Sequence, residues 1–449
     1  MERREKFNSI MKPLRGFLAS GWYSALLFAG ACLFVFTGKE VLGTIIFATI
    51  ISATLFIGDD LLPGLQGILV TACFAISCKN SAGDFVKLWP FAIPIAFFFF
   101  SHFVLYPKKF RRSALTGGML ATSIAIVAGG VGVIYWKTYF SPTSLFYMFS
   151  LGFGMLLIYS FFYISFDRKY EYNFADRFSK IMVEIIPVLA MCLFQEYLSR
   201  KDEFLASMSV IPFQWRNNAA TLLMLAIPFA FYRAVKKYGY FFLGILSYVA
   251  IIFTGSRGGL LFGTVEIAIC FILLLIFDKK HRLHNIIILV IAVLGVILAR
   301  KYLLEILAYT IERIKDPGEN SIRLEMFSRG INDFKRNIFN GQGLAYMGNR
   351  DVHASAKHTL CWYHCSFIQV PASFGIVGII AYIYLNIQRI KLFIKNISPF
   401  NLTMFVSFIG LEMMSLVNPG IFVPFPYLFT VTAYFAIMEV QKDEGFINR

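Results

Sequence analysis

The chain has 449 residues, of which 58% are hydrophobic and 15% charged, and its formal net charge is +16. Soluble domains carry about a quarter charged residues, so this composition excludes an ordinary soluble enzyme. Apolar runs of roughly 17 to 23 residues recur from end to end, the length that crosses about 30 Å of hydrocarbon. We therefore predict an all-α polytopic membrane protein.

About twelve to fourteen transmembrane helices are predicted from these runs. The candidate spans start near residues 20, 41, 61, 89, 114, 144, 181, 219, 239, 258, 285, 364, 402 and 421. They divide the chain into a membrane domain over 1–299 with about eleven spans, one long polar loop over 300–363, and the last three spans of the same membrane domain over 364–449. The first run follows a basic start and lacks a clear small-residue cleavage site, which favours a first span over a signal peptide.

Basic residues predict the topology. If the N-terminus is cytoplasmic, the inward connections hold Lys108, Lys109, Arg111, Arg112, Arg168, Lys169, Arg177, Lys180, Arg233, Lys236, Lys237, Lys279, Lys280, Arg282, Arg389, Lys391 and Lys395. An excess of Lys and Arg in cytoplasmic loops is the positive-inside pattern, so both termini are predicted to be cytoplasmic. Nucleic acid is not expected as a partner, because no single basic face is assembled.

The outward basic residues are concentrated at three places, which are residues 200–216, Arg257 and residues 300–357. Positive charge placed against the usual bias predicts an anionic ligand on the outer side. A long loop can escape the charge rule, and this alternative covers much of 300–357. It does not cover Arg257, which stands in a tight turn between two spans.

The long extracytoplasmic loop contains a predicted amphipathic helix. Apolar residues keep an approximately helical spacing from Ser321 to Phe339, and residues 341–343 (Gly-Gln-Gly) follow as a stop. A helix with Arg323 and Arg329 on its flanks fits a position on the outer membrane surface. A mobile basic loop is the alternative interpretation.

Two short polar elements precede this loop in the sequence. Residues 254–259 read Thr-Gly-Ser-Arg-Gly-Gly, where glycines permit a sharp reversal and Arg257 offers a planar cation suited to phosphate. Residues 214–220 read Gln-Trp-Arg-Asn-Asn-Ala-Ala and combine an interfacial aromatic, a cation and two amides. The plainer interpretations are a turn whose arginine reaches the headgroups, and an interfacial anchor.

A third element is His364-Cys365, followed after nine residues by Gly375 and Gly378. Histidine suits general-base chemistry near neutral pH, and the glycines would let a neighbouring helix pack closely. A histidine at the mouth of a span can also be a simple interfacial residue. His353, His358, Cys361 and His364 match no standard zinc spacing, so no metal site is expected.

Together these elements resemble the O-antigen ligase and polymerase superfamily of bacterial envelope enzymes. The resemblance rests on Ser256-Arg257 between glycines, on the stretch from Arg323 to Gly343, and on the histidine motif, and it is specific over residues 212–380. The family usually has Asn, Ser or Gln where this chain has Cys365. Its arginine motif has leucine four residues on, whereas Arg216 is followed by Ala at 220, so that match is loose.

The resemblance implies a GT-C-like, metal-independent, inverting glycosyltransferase without a cofactor, in the bacterial plasma (inner) membrane, with an extracytoplasmic active site. Its donor would be a glycan on undecaprenyl diphosphate, and its acceptor a glycan or a lipid-linked glycan. Membrane lipid, a chain-length regulator and a flippase are further implied partners. The implied catalytic residues are His364 and Arg257, and the implied substrate-binding residues are Arg216, Arg323, Ser256 and Asn217.

The roles divide as follows under that resemblance. Arg257 and Arg216 bind the diphosphate, with Arg323 as a third candidate, and His364 acts as general base or hydrogen-bonds the phosphate. Glu184, Glu266 and Glu412, inside apparent spans, are candidate partners of the arginines or alternative bases. We favour a repeat-unit polymerase over a ligase because of the amide-rich residues 215–218. A flippase or another secondary transporter is the non-enzyme alternative. That interpretation predicts internal repeats and charged residues at the membrane midplane, whereas the polar residues here cluster at the outer boundary.

Overall fold

The computed structural model describes residues 2–76, 89–134, 142–166, 174–207, 210–213, 215–298, 317–344 and 362–440. Regular structure in these residues is helical, and no strand occurs among them. The α-helices are α1 (Glu2–Leu18), α2 (Gly21–Thr37), α3 (Glu40–Ile57), α4 (Leu62–Ala75), α5 (Ala92–Leu105), α6 (Thr116–Ile134), α7 (Pro142–Phe149), α8 (Met155–Phe166), α9 (Phe174–Ser199), α10 (Lys201–Ser207), α11 (Arg216–Ala234), α12 (Gly239–Thr254), α13 (Arg257–Phe277), α14 (Arg282–Leu298), α15 (Pro317–Arg336), α16 (Ser366–Lys395), α17 (Pro399–Met414) and α18 (Phe429–Val440).

Several of these helices can cross a membrane. In the described part of the chain, five are long and apolar enough to do so, namely Glu40–Ile57, Tyr147–Phe166, Phe174–Ser199, Arg257–Phe277 and Ser366–Lys395. The pair Ser9–Leu18 and Gly21–Thr37, bent by 62°, raises the number to six if it forms one broken span. The predicted all-α polytopic membrane protein is confirmed. The higher count of twelve to fourteen spans, the GT-C likeness and the division at residues 299 and 363 stay predictions.

Shorter apolar helices coincide with other predicted spans: Leu62–Ala75, Ile93–Leu105, Thr116–Gly130, Gly239–Thr254 and Pro399–Met414. Serine side chains cap three helix starts. Ser20 accepts a hydrogen bond from the backbone of Trp22, Ser256 accepts one from Gly259, and Ser398 accepts one from Asn401. A cap of this kind satisfies a backbone N–H group that has no partner within the helix.

Helix α11 lies at the centre of the bundle. Every residue from Ala219 to Phe231 is buried, and α11 packs against α9, α12, α13 and α17. Two neighbouring helices also bind its backbone, because Ser247 donates to the Leu223 carbonyl (3.2 Å) and Ser407 donates to the Leu225 carbonyl (3.0 Å). The N-terminus of α11, where Arg216 and Asn217 lie, is therefore held by packing along the whole helix.

Polar contacts gather at the two ends of the bundle. At one end, Lys108 binds Asp59 (2.7 Å), Arg177 binds Asp60, and Arg233 binds Asp176 (3.2 Å). These three cations belong to the connections that the charge pattern assigns to the cytoplasm. The opposite end contains the starts of α11, α13 and α16, and it is this end that carries the polar elements of the sequence.

Candidate functional site

Ser256 joins the start of α13 to the start of α11. Its hydroxyl accepts a hydrogen bond from the Gly259 N–H (3.0 Å) and donates one to Oδ1 of Asn217 (2.7 Å). Ser256 is 2% exposed, whereas Asn217 and Arg257 are half-buried. The predicted residues Ser256, Arg257 and Asn217 thus lie together at one end of the bundle.

The preceding turn requires glycine. Gly255 ends α12 with a φ of +71°, in the left-handed region that side chains rarely adopt. A Cβ at Gly255 would also lie 3.2 Å from the Cα of Pro212. The chain before α11 is held against the turn by a hydrogen bond from the Phe213 N–H to the Thr254 carbonyl (3.1 Å). Arg257 therefore follows directly after a turn whose backbone is fixed by the conformation of Gly255 and by the contacts with residues 212 and 213.

The two glycines after Arg257 allow close approach of other helices. A Cβ at Gly259 would lie 2.5 Å from the Cβ of Ala220 on α11. A Cβ at Gly258 would lie 2.6 Å from Cγ2 of Val417, in the turn that follows α17. Contacts this short leave no room for a side chain, so Gly258 and Gly259 set how near α13 comes to its neighbours.

The turn that follows α17 also contacts the start of α16, two residues after His364. The first N–H of α16, from Ser366, donates to the Ser415 carbonyl (2.9 Å), in the same turn that Gly258 contacts through Val417. Residues 415–418 therefore link the start of α13 to the start of α16, and Arg257 and His364 lie at the same end of the bundle. The hydroxyl of Tyr427 adds a bond to the Asn218 carbonyl on α11 (3.0 Å).

His364 has an unusual backbone. Its φ is +55°, and it is the residue other than glycine with positive φ in the described part of the chain. Cys365 occupies the N-cap of α16 and makes no side-chain capping bond. Asn, Ser or Gln, which the resemblance leads one to expect at this position, has a side-chain oxygen that can accept such a bond. Here the Ser415 carbonyl accepts one helix N–H instead.

The two arginines in the region 200–216 differ in their surroundings. Arg200 is compensated by carboxylates, with Nη1 at 3.3 Å from Glu196 and Nη2 at 2.7 Å from Glu203. Arg216 is half-buried, and no hydrogen bond or ion pair of its side chain is found within the described ranges. Arg200 therefore adds no net positive charge for an anionic ligand, whereas Arg216 does.

The helix predicted in the long loop is present as α15. It covers Pro317–Arg336, against the predicted 321–339, and Arg323 is exposed on it. The chain around His364 (residues 362–368, the histidine segment) contacts residues of α15 that come after Arg323 in the sequence. A Cβ at Gly330 would lie 2.3 Å from Cγ2 of Ile368 and 3.0 Å from the Tyr363 ring. Residues 300–316 and 345–361, with His353, His358 and Cys361, lie outside the described residues.

The glycine pairs of the loop and of α16 form one joint. The N–H groups of 342 and 343 donate to the carbonyls of 372 and 373 (2.8 and 2.9 Å), and those of 376 and 377 donate to the carbonyls of 338 and 339 (2.8 and 3.1 Å). Gly375 interrupts α16 with φ +60° and ψ −157°, and a Cβ there would lie 2.3 Å from the Phe339 carbonyl oxygen. Gly375 is predicted from the sequence to let a neighbouring helix pack closely. This prediction is corrected, because Gly375 interrupts α16 and the loop residues 338–343 bind the backbone at the break.

The acidic residues inside the spans have other neighbours. Glu184 accepts a hydrogen bond from Gln66 (2.5 Å), and Glu412 lies 3.8 Å from Arg389, whose guanidinium stacks on aromatic rings. Glu266 is fully buried beside Gly410, and its carboxylate oxygens have no hydrogen-bond partner among the described residues. The arginine facing Glu412 is thus Arg389 and not one of the predicted site arginines. No group of three or more possible metal ligands occurs within the described ranges.

Sequence reasoning missed several residues that hold this arrangement. Asp333 and Gln369 are buried and bind Tyr363, the residue before His364. One signal was available, since Met326, Gly330 and Asp333 follow a helical spacing and share the buried side of α15. The backbone acceptor at Ser415 had no sequence signal, because a carbonyl group is the same in every residue.

Comparison with known families agrees with the sequence analysis. A family model described as O-antigen ligase matches residues 241–383, and no curated protein matches the chain. The matched range includes the predicted site residues Ser256, Arg257, Arg323 and His364 and the glycines of the loop and of α16. Arg216 and Asn217 lie outside it. The predicted resemblance to the O-antigen ligase and polymerase superfamily is confirmed. The match supports a glycosyltransferase-type function in a multi-pass membrane protein.

Proposed function

We propose that this protein transfers a glycan from undecaprenyl diphosphate at the outer face of the bacterial plasma membrane, as a repeat-unit polymerase of O-antigen or capsular polysaccharide. The observation that carries the proposal is the meeting of three helix starts at one end of the bundle. The contacts of Ser256 with Asn217 and of residues 415–418 with Gly258 and Ser366 join them. In the proposed topology this end is extracytoplasmic and both termini are cytoplasmic.

Helix starts favour anions for a general reason. Their first N–H groups lack partners within the helix, and the aligned peptide dipoles place partial positive charge there. The first residues of α11 and α13 are Arg216 and Arg257, which add full positive charge at the same place. A diphosphate with two or more negative charges matches this combination, and its polyprenyl chain would remain in the membrane.

The proposed reaction is a direct displacement at the anomeric carbon of the donor. An acceptor hydroxyl oxygen forms the new bond from the side opposite the diphosphate, and its proton passes to the His364 imidazole. The bond from the anomeric carbon to the diphosphate oxygen breaks with its electron pair, so the configuration inverts. Arg257 and Arg216 stabilise the charge that grows on the leaving diphosphate, with Arg323 as a third candidate.

The backbone of His364 supports a functional role for this residue. A residue other than glycine in the left-handed region costs of the order of 1 kcal/mol or more, and such strain clusters at active sites. The conformation persists here because neighbouring contacts hold the segment on both sides of His364. A backbone fixed in this way sets the position from which the imidazole can reach the acceptor hydroxyl.

A ligase is the second candidate, because the matching family model is described as O-antigen ligase. Polymerase and ligase share the donor and the chemistry and differ in the acceptor. The purified protein should therefore be reconstituted in vesicles with a lipid-linked repeat unit alone. Longer lipid-linked products support the polymerase. Reaction only after addition of a second acceptor, such as a lipid A core, supports the ligase, and no transfer under either condition contradicts the proposal.

A further inference from the structure

Asp333 of the loop helix binds the residue that precedes His364. The hydroxyl of Tyr363 donates to Oδ2 of Asp333 (2.5 Å), and the two side chains are 3% and 4% exposed. Gln342 adds a bond from its Nε2 to the Asp333 backbone carbonyl (3.3 Å). The carboxyl therefore connects α15 to Tyr363 in the interior of the protein, and the backbone carbonyl of the same residue connects α15 to Gln342.

The backbone of Tyr363 is held from the other side. Its N–H donates to Oε1 of Gln369 (2.9 Å), and Nε2 of Gln369 donates to the hydroxyl of Ser373 (2.7 Å). Both α16 residues are buried. Since a buried amide with both ends bonded cannot turn over without losing bonds, Gln369 fixes where the chain enters His364.

The ring of Tyr363 packs against α15. It lies against Gly330, where even a Cβ would come within 3.0 Å of the ring carbon Cδ1. Tyr363 is thus held at its ring, its hydroxyl and its N–H, while Ser366 is held by Ser415. The residue between these fixed points, His364, takes the positive φ that an unconstrained histidine would avoid.

We propose that Asp333 and Tyr363 are positioning residues for His364, and that their hydrogen bond sets the backbone torsion from which the imidazole reaches the substrate. The inference rests on the proposed function, in which His364 is the general base. It gives the polar loop a part in positioning the general base, since α15 supplies the carboxyl. A displacement of about 1 Å at a reacting group costs about a hundredfold in rate.

The test compares Tyr363→Phe with Glu325→Gln in vesicles supplied with the lipid-linked donor. Tyr363→Phe keeps the ring against Gly330 and removes only the hydroxyl. Glu325→Gln removes a different carboxylate of α15, which is partly exposed and pairs with Arg329. We expect kcat to fall about tenfold to a hundredfold in Tyr363→Phe with little change in the donor KM, and no change in Glu325→Gln.

A second measurement does not depend on turnover. The rate at which diethyl pyrocarbonate modifies His364, located by mass spectrometry, reports how the imidazole is presented. We expect this rate to change several-fold in Tyr363→Phe and in Asp333→Ala, and to stay constant in Glu325→Gln. Thermal unfolding of each variant in detergent shows whether it folds. If Asp333→Ala does not fold, the more conservative Asp333→Asn takes its place.

The outcomes separate the two hypotheses. If His364→Ala is inactive while Tyr363→Phe keeps the wild-type kcat and the wild-type modification rate, the positioning role is overturned and the proposed function stands. If His364→Ala remains fully active, the proposed function fails. The modification rate of His364 in Tyr363→Phe then decides the positioning claim by itself, and an unchanged rate overturns it.

Discussion

The hydroxyl of Ser256 lies 2.7 Å from Oδ1 of Asn217, and this bond ties the start of α13 to the start of α11, a helix buried along most of its length. The same hydroxyl caps α13 by accepting from the Gly259 N–H. One side chain therefore serves both the stability of a helix and the placement of the arginine that follows it.

Ser256→Ala should lower both stability and activity. Loss of a serine N-cap costs about 1 kcal/mol, and the bond to Asn217 is lost with it. Because the start of α13 then loosens, we expect glycan transfer to fall about tenfold. Thermal unfolding in detergent and transfer of a lipid-linked glycan measure the two effects.

Ser398→Ala is the matched control for this prediction. Ser398 caps α17 by accepting from the Asn401 N–H (3.1 Å), beyond the far end of α16 from His364. It should lose similar stability and keep its transfer rate. Equal losses of activity in both variants would show that Ser256 acts only through general stability.

Gly375→Ala should disrupt the joint between the loop and α16. A Cβ there would meet the Phe339 carbonyl oxygen at 2.3 Å, in a backbone conformation available mainly to glycine. We expect a lower yield of monodisperse protein and faster proteolysis near 338–343. Gly239→Ala is the control, since a Cβ at that position meets no atom within 4 Å. Equal proteolysis rates in the two variants would contradict the joint.

Arg216→Ala and Arg200→Ala should behave differently. Arg200 is neutralised by Glu196 and Glu203, whereas Arg216 has no such partner within the described ranges. Removing a charged hydrogen bond to a phosphate costs about 1.5 to 3 kcal/mol, so the donor KM should rise about tenfold to a hundredfold in Arg216→Ala. Arg200→Ala should keep the wild-type KM, and a comparable rise in both would remove Arg216 from the site.

The stability of the protein should depend on pH through Asp333. Burial raises the pKa of its carboxyl, and the bond from Tyr363 and the charges of Arg336 and Arg329 offset only part of that rise. A carboxyl with a raised folded-state pKa contributes stability below its unfolded pKa of about 3.9, and this contribution is lost as pH rises through the folded value.

Asp333→Asn cannot ionise, so it should gain stability relative to the wild type as pH rises above about 4. Melting temperatures of the two proteins across this range, in one detergent and at constant ionic strength, measure the difference. A gap in melting temperature that does not change with pH would contradict the assignment of this titration to Asp333.

Much of the fold could be predicted from sequence because membrane helices depend on local composition. The apolar runs and the polar loop are visible without tertiary information, and the helical spacing after Ser321 predicts α15 within a few residues of Pro317–Arg336. The pairing of Arg200 with Glu196 and Glu203 was also open to prediction, since carboxylates four residues before and three after an arginine share a helix face.

The break in α16 could not be predicted in the same way. The apolar run continues through Gly375, and a glycine that packs against a helix has the same sequence appearance as one that breaks it. The break is formed by backbone bonds to residues 338, 339, 342 and 343, which are distant in sequence. Long-range contacts of this kind also link residues 415–418 to Gly258 and Ser366, and they bring the parts of the candidate site together.

The most direct test of the proposed site is transfer by the wild type, Arg257→Ala and His364→Ala, reconstituted at equal amounts in vesicles with a lipid-linked repeat unit. We predict longer lipid-linked products from the wild type and at least about a hundredfold less product from each variant, with all three proteins inserted and folded. Ladders of wild-type length and yield from both variants would contradict the account.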